Sequence, residues 1–166
     1  MFNRDFNELL SSFSAHGVKY LIVGGYAVAL HAQPRATKDL DLFIRQDAEN
    51  ARAVFAALVQ FGAPVLNLKP EDLVEAGSFF RIGIAPLMIE IFSGIDGIEF
   101  DHAWQNRVEV LIDESSGLKA SFISCSDLIQ SKLASGRPQD IADVEAIRAA
   151  QASAKCSEDN NDVSES

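Results

Sequence analysis

Three carboxylates on predicted strands are the residues of this chain best suited to chemistry. Asp39 and Asp41 lie one residue apart in the stretch "KDLDLFI". Because side chains alternate along a strand, both project from one face, and Leu40 and Leu42 project from the other. Their Cα atoms are about 6.5–7 Å apart, so the two carboxylates can converge on one cation or on two adjacent cations. Without a cation the charges repel each other, whereas Mg²⁺ accepts such oxygens and keeps positions for water and phosphate.

An edge strand with a solvated polar face is the alternative explanation of the aspartate pair, and two further features favour a ligand site. Gly24 and Gly25 end a buried strand and open a helix, where backbone N–H groups can approach an anion. Glu90 lies in the otherwise apolar strand "LMIEIF". A buried, unpaired carboxylate is costly, so Glu90 is expected either to join the aspartates around a metal ion or to form a salt bridge with an arginine.

Hydrophobic periodicity and turn residues predict a mixed α/β or α+β domain. The predicted helices are 2–16, 26–32, 47–61, 127–135 with Ser126 as its cap, and a last helix that ends at about Gln151. The predicted strands are 19–23, 39–44, 79–84, 87–92, 108–113 and 118–123, with one helical turn in "KPEDLVEA". Strands 79–84 and 87–92 flank Ala85-Pro86, and strands 108–113 and 118–123 form a hairpin that makes the sheet partly antiparallel.

Length and composition predict one folded domain and an acidic tail. The chain has 166 residues, of which 48% are hydrophobic, enough for a sizeable core in a single domain over 1–152. Residues 153–166 contain almost no apolar side chains and are predicted to be disordered. The longest apolar stretches are far too short to span a bilayer, and the first ten residues lack an export leader, so we expect a cytoplasmic protein.

The charge balance excludes a general nucleic-acid-binding surface. Twenty-four acidic residues outnumber fourteen Lys and Arg residues, which gives a formal net charge of −10. A nucleotide or an RNA would therefore have to meet a local basic site or metal ions. The two cysteines, Cys125 and Cys156, have no spacing typical of a zinc site or a disulfide framework.

The order of these motifs resembles the nucleotidyltransferase superfamily, whose polymerase-beta-like fold is shared by poly(A) polymerases and aminoglycoside nucleotidyltransferases. The resemblance rests on a strand, Gly-Gly, a helix, an Asp-x-Asp strand and a later strand with a lone carboxylate. Thr37, two residues before Asp39, resembles the Thr-x-Asp-x-Asp form of the toxin-like branch found in abortive-infection and type IV toxin–antitoxin systems. Gly25 stands where many active members carry a serine that binds phosphate.

The resemblance implies a mixed sheet flanked by helices, with further helices at the C-terminus, and a metal-dependent transfer of an NMP from an NTP to a hydroxyl. The acceptor would be an RNA, a protein or a small molecule, and a toxin–antitoxin system is one setting. Asp39, Asp41 and Glu90 would bind two Mg²⁺ ions, and Gly24, Gly25 and Thr37 would lie at the NTP. A partner protein or a homodimer is compatible with this resemblance. The alternative is a catalytically silent module of the same fold that binds nucleotide or a partner.

The segment "DLIQSKLASGRPQDIADVEAI" resembles the C-terminal helical part of that superfamily. Lys132 lies close to the apolar stripe of its helix, so it either holds a triphosphate as a point charge or rests its stem on the core. Arg137 is expected to contact a second phosphate or to tie its loop to a carboxylate. Asp140 is expected either to complement the dipole of its helix or to pair with Arg137. A structural role is favoured for Asp140 and Asp143, and the resemblance to the toxin-like branch implies a functional aspartate as the alternative.

Other polar residues near the motifs have simpler explanations. His31 is expected to be a packed or capping side chain, and His102 and Trp104 in "FDHAWQN" are expected to anchor a loop, with base stacking as the alternative. If no metal binds, Arg35, Lys38 and Arg45 are the bases nearest in sequence that could pair with the aspartates.

Overall fold

A computed structural model describes residues 2–84 and 87–162, in which a six-stranded mixed sheet is flanked by helices. The strands are β1 (Tyr20–Val23), β2 (Asp39–Ile44), β3 (Phe79–Ile84), β4 (Leu87–Phe92), β5 (Val108–Asp113) and β6 (Leu118–Phe122). The helices are α1 (Arg4–Ala15), α2 (Gly24–His31), α3 (Ala48–Phe61), a short 3-10 helix (Pro70–Val74), α4 (Phe100–Gln105), α5 (Cys125–Ser135) and α6 (Pro138–Asp162). No helix in the described ranges combines the length and hydrophobicity needed to cross a membrane.

The strand order, β3-β4-β2-β1-β6-β5, places the aspartate strand inside the sheet. β2 runs antiparallel to β1 on one side and parallel to β4 on the other. The β3/β4 and β5/β6 pairs are antiparallel, and β1 pairs with β6 in parallel. This arrangement confirms the predicted mixed sheet. It also brings the glycines after β1, the aspartates of β2 and the glutamate of β4 together on adjacent strands.

The alternation predicted for β2 is present in the structure. Leu40, Leu42 and Ile44 are fully buried, whereas Asp39 and Asp41 are partly exposed. Burial of three aliphatic side chains fixes the register, because a slip of one residue would exchange the two faces and bury both carboxylates. The position of the aspartates on the sheet therefore follows from the hydrophobic residues between them.

Several helix boundaries differ from the predicted ones: α1 starts two residues later, and α2 and α5 each start two residues earlier. α5 begins at Cys125 and is capped by Ser124, whose hydroxyl accepts a hydrogen bond from the Asp127 N–H, so Ser126 is not the cap. Two serines two residues apart offer the same capping chemistry, and only tertiary packing decides between them.

The segment "FDHAWQ", predicted to be a loop, forms α4. A helix of six residues is too short to show a clear hydrophobic period.

The last helix continues to Asp162, well beyond its predicted end at Gln151. Good helix formers in "AIRAAQASAK" allow the backbone to continue as a helix after the buried stripe has ended. The predicted tail therefore overlaps this helix up to residue 162, and its last part, 163–166, lies outside the described residues. The predicted link Ala85-Pro86 also lies outside them.

Asn50 ties both strands of the β1/β2 pair to α3. Its Oδ1 accepts a hydrogen bond from the Lys19 N–H at 2.8 Å, and its Nδ2 donates to the carbonyls of Lys19 at 3.0 Å and Arg45 at 2.9 Å. The side chain is buried, at 6% exposure, so these backbone groups have little access to water. Asn50 thus fixes the start of β1 and the end of β2 relative to the helix behind them.

We expect Asn50→Ala to lower the free energy of unfolding by about 2–3 kcal/mol, because it leaves buried backbone groups without partners. Urea unfolding measures the change. Asn67→Ala, at an exposed position, is the control and should stay within about 0.5 kcal/mol of the wild type. Equal losses in the two variants would contradict this role.

Candidate active site

The Asp41 carboxylate lies directly over Gly24, the first residue of α2. Val23, the last residue of β1, pairs with Asp41 across the antiparallel ladder. Gly24 has a φ of +64°, and a Cβ atom added to it would lie 1.8 Å from Asp41 Oδ2. Only glycine satisfies both conditions, since other residues rarely adopt this φ and none can tolerate that distance.

Thr37 has a similar relationship with Gly25. A Cβ atom added to Gly25 would lie 2.6 Å from Thr37 Oγ1 and 3.0 Å from Thr37 Cβ. The Thr37 hydroxyl therefore occupies the space that a side chain at position 25 would need. Position 25 therefore lacks the serine hydroxyl of the motif, but the Thr37 hydroxyl lies in the same place.

Glu90 lies beside the aspartates on the neighbouring strand. In the parallel β2/β4 pair, Asp41 is opposite Glu90 and Asp39 is opposite Met88. Burial raises the pKa of Asp41 to about 8, and the hydrogen bond and charge of Glu90 and the charge of Asp39 contribute to the rise. Asp41 Oδ1 is buried and has no hydrogen-bond partner among the described residues. At neutral pH without a cation, Asp41 therefore holds a proton.

Arg81 is the residue of the site that the sequence reasoning missed. Its Nη2 lies 3.8 Å from Asp39 Oδ2, and its Nε lies 3.7 Å from Glu90 Oε1. The antiparallel β3/β4 pair places Arg81 directly opposite Glu90. The signal was present in the sequence, because a hairpin centred between residues 85 and 86 pairs position 81 with position 90.

Two of the three bases proposed as partners if no metal binds, Arg35 and Arg45, pair with other carboxylates. Arg35 contacts Asp143 at 2.6 Å, and Arg45 contacts Asp47 at 3.2 Å. Proximity in sequence was thus a poor guide to the partner of the aspartates. Arg45 follows the last residue of β2, whereas Asp39 and Asp41 lie in its first half.

A cavity of about 240 Å³ extends from the carboxylates to the C-terminal helices. Gly24 and Asp41 line one side, and Lys132, Arg137 and Asp140 line the other. The structure therefore brings both halves of the predicted site to one space, although about ninety residues separate them in sequence. Glu90, Thr37 and Gly25 do not line this cavity but lie next to residues that do.

Lys132 is held inside a buried network and does not extend freely into the cavity. Its Nζ donates hydrogen bonds to Asp140 Oδ1 at 3.0 Å and to Asp143 Oδ2 at 2.8 Å. Burial opposes ionisation of Asp140, but hydrogen bonds from Ser135, Lys132 and Arg137 lower its pKa to about 2. Asp143 likewise has a lowered pKa despite its burial.

This network agrees with the structural roles expected for Asp140 and Asp143, including the pairing of Asp140 with Arg137 at 2.8 Å. Arg137 is mostly exposed, and its guanidinium is the more accessible of the two cations that line the cavity. A phosphate in the cavity could meet Arg137 without disrupting a buried ion pair, whereas Lys132 would have to share its ammonium with two carboxylates.

Asp39, Asp41 and Glu90 have the oxygen ligands that a divalent cation prefers, and they lie on adjacent strands. Their side chains are not arranged around a common point. In residues 2–84 and 87–162, no three His, Cys, Asp or Glu side chains lie close enough together to hold a metal ion. Asp39 and Glu90 each have an oxygen within 3.8 Å of an Arg81 nitrogen. Rotation of these side chains toward Asp41 Oδ1, which lacks a partner, would complete a set of three oxygen ligands.

The other polar residues singled out from the sequence lie in structural contacts. His31 Nε2 is 2.8 Å from the Ile123 carbonyl oxygen, at the end of α2. The Trp104 ring stacks on Phe100 and lies under the Arg107 guanidinium, 3.9 Å from its Cζ. Trp104 thus anchors its segment by packing, as expected.

Residues 4–153 match a protein family described as "Nucleotidyltransferase of unknown function (DUF6036)". The chain belongs to this nucleotidyltransferase family. No curated protein matches the sequence.

Several solved structures share the fold of this family member at low sequence identity. ANT(2")-Ia in complex with adenylyl-2"-tobramycin has a TM-score of 0.57 at 17% identity, covering 90% of this chain and 89% of that one. The putative nucleotidyltransferase TM1012 from Thermotoga maritima has a TM-score of 0.56 at 17% identity, with 86% and 89% covered. The lincosamide antibiotic adenylyltransferase LnuA, bound to lincomycin, has a TM-score of 0.54 at 16% identity, with 89% and 97% covered.

We expect Gly24→Ala in this family member to lose more stability than Gly62→Ala, as measured by thermal and urea unfolding. Both glycines have positive φ, so both variants should lose about 1–2 kcal/mol from backbone strain. A Cβ at Gly62 meets nothing within 4 Å, whereas one at Gly24 collides with Asp41. Gly24→Ala should therefore lose roughly 1–3 kcal/mol more. Equal losses would show that the contact with Asp41 is unimportant.

We expect Asp41→Asn to stabilise the protein increasingly as pH rises from about 4 to about 8, with divalent metal removed by chelator. Because the pKa of Asp41 is higher in the folded state, the wild type is most stable while this group is protonated. It loses stability as pH rises from the unfolded pKa of 3.8 to the folded pKa of about 8, and the Asn variant does not. Urea unfolding at pH 5, 7 and 9 should show a gain that reaches roughly 1–3 kcal/mol and then levels off. A difference between variant and wild type that does not change with pH would contradict the burial of this charge.

Proposed function

We propose that this protein is a metal-dependent nucleotidyltransferase that moves an NMP from an NTP to a hydroxyl of an acceptor. The observation that carries the proposal is the convergence of Asp41 on Gly24, with Glu90 in register beside it and a cavity leading to Arg137 and Lys132. Membership of the nucleotidyltransferase family supports the reaction class, and the metal dependence is inferred from the carboxylates.

In this reaction the acceptor oxygen forms a bond to the α-phosphorus, the bond from that phosphorus to the bridging oxygen breaks, and pyrophosphate leaves. Asp39, Asp41 and Glu90 would hold two Mg²⁺ ions, which neutralise the growing charge when bound. Glu90 would ligate the catalytic ion and would help to deprotonate the acceptor hydroxyl. Asp41, whose pKa is about 8, would lose its proton when it joins the ligand set.

The remaining site residues would position the triphosphate. The N-terminus of α2 presents backbone N–H groups at Gly24 and Gly25, and its dipole favours an anion. Thr37 adds a hydroxyl at the same place. Arg137 adds an accessible cation across the cavity, and Lys132 keeps α5 and α6 in place through Asp140 and Asp143 while it contributes positive charge to the wall.

A small-molecule or protein hydroxyl is favoured over an extended RNA as the acceptor. The net charge of −10 disfavours a long polyanion, and the cavity is small, at about 240 Å³. ANT(2")-Ia and LnuA, which share the fold, have structures with adenylyl-2"-tobramycin and with lincomycin. The toxin–antitoxin setting and the cytoplasmic location stay predictions, and the genes next to this one would bear on the former.

A catalytically silent module that binds nucleotide or a partner is the second candidate. Two contacts favour it: Arg81 takes the place of a cation beside Asp39 and Glu90, and Lys132 is committed to carboxylates. Retention of the glycines and of all three carboxylates favours the enzyme instead, because a silent module has no need of an acidic cluster that keeps Asp41 protonated.

We expect the wild type with Mg²⁺ to transfer label from at least one α-labelled NTP to a small-molecule, protein or RNA fraction of a host extract. The variant Asp39→Asn/Asp41→Asn should lose at least about a thousandfold of this activity, because the metal ligands are removed. Scintillation counting of the separated fractions identifies the nucleotide and the class of acceptor together.

The matched control is Asp101→Asn, which changes an exposed aspartate outside the site and should leave transfer unchanged. If neither wild type nor control transfers label, while Mg²⁺ and NTP together raise the melting temperature of the wild type but not of Asp39→Asn/Asp41→Asn, the silent binding module is the better description. Absence of both effects would overturn the metal site.

A further inference from the structure

Arg81, Glu90 and Asp41 form a row across three adjacent strands. Arg81 is opposite Glu90 in the antiparallel β3/β4 pair, and Glu90 is opposite Asp41 in the parallel β2/β4 pair. Residues opposite each other in a sheet project from the same face, so the guanidinium is delivered to the acidic cluster by the backbone register itself. The sheet thus builds a positive charge into the place where three oxygen ligands would otherwise converge.

The contacts of Arg81 are loose compared with those of the other cations near the cavity. Its nitrogens lie 3.7 and 3.8 Å from the carboxylate oxygens of Glu90 and Asp39, beyond hydrogen-bond distance, and its side chain is 54% exposed. Lys132, in contrast, donates at 2.8 and 3.0 Å from an almost buried position. Solvated ion pairs of the first kind contribute little to stability, so Arg81 can leave its carboxylates at small cost.

Both groups that Arg81 contacts are needed for the ligand set described above. The guanidinium nitrogens lie within 3.8 Å of oxygens of both carboxylates, and Asp41 Oδ1 beside them has no hydrogen-bond partner among the described residues. A divalent cation and the guanidinium therefore compete for the same two carboxylates. The half-exposed side chain has open solvent to move into when it is displaced.

We infer that Arg81 is a built-in substitute for the divalent cation: it partly compensates the charges of Asp39 and Glu90 while no ion is bound and moves into solvent when an ion binds. The inference rests on the proposed metal site and adds a regulatory residue to it. Its consequence is that the wild type binds a divalent ion more weakly than its three carboxylates alone would allow.

Binding of Mn²⁺ alone, without nucleotide, tests the inference on the full chain. The electron paramagnetic resonance signal of free Mn²⁺ gives the dissociation constants of the wild type and of Arg81→Gln after removal of metal by chelator. We expect Arg81→Gln to bind Mn²⁺ roughly three- to tenfold more tightly, because two weak competing ion pairs are removed. The melting temperature without metal should fall slightly in the variant, and Mn²⁺ should raise it by more than in the wild type.

Arg4→Gln is the matched control, because it removes the same charge from an exposed pair with Glu8 on α1. Its affinity for Mn²⁺ should stay within about twofold of the wild type, since an exposed charge remote from the site is screened. Affinity in Arg81→Gln that equals or falls below that of the wild type would overturn the inference and leave the proposed metal site standing. Absence of specific Mn²⁺ binding in both would overturn the metal site and, with it, the role of Arg81.

A second readout separates displacement from a general charge effect. In a titration with diamagnetic Mg²⁺, the ¹H–¹⁵N resonance of Arg81 Nε, assigned by its loss in Arg81→Gln, should shift, and that of Arg4 should not. Tighter binding by Arg81→Gln with an unshifted Arg81 resonance in the wild type would mean that the guanidinium stays in place, and it would overturn the inference.

Discussion

The contact of Asp41 with Gly24 is the constraint on which the rest of the site depends. A Cβ at position 24 would lie 1.8 Å from the carboxylate, so the end of β1 and the acidic strand can pair this closely only because no side chain is there. The same contact places the first residue of α2 beside the carboxylate, and both Gly24 and Asp41 line the cavity. The N-terminus of a helix and an acidic strand thus become neighbours because position 24 has no side chain.

Concentrating carboxylates at one place has an electrostatic cost, and the fold manages it differently on the two sides of the cavity. Around Asp140 and Asp143, the buried Lys132 and the more exposed Arg137 and Arg35 lower the pKa values of these carboxyls through hydrogen bonds and charge. Around Asp41, a retained proton and the distant guanidinium of Arg81 give only partial compensation. Close pairing of charges suits side chains that hold two helices together. Incomplete pairing leaves repulsion between carboxylates that a bound cation can relieve.

The parts of the site that could be predicted from sequence are those fixed by local pattern. The alternation in β2 placed both aspartates on one face, and the lone carboxylate of β4 proved to be in register with Asp41. Arg81 was within reach of the same reasoning, through the symmetry of the hairpin. The ion pair between Arg35 and Asp143 was not, because 108 residues separate its members and no local period relates them.

The same division between local and distant contacts limits what the shared fold says about the acceptor. Gly24 and Asp41 are held together by the pairing of adjacent strands, and solved structures at 17% identity share this fold. The opposite wall is held by side-chain pairs from α5 and α6, whose identity depends on a few particular residues such as Lys132 and Asp143. A shared fold at this identity therefore carries no information about these particular residues or about the acceptor.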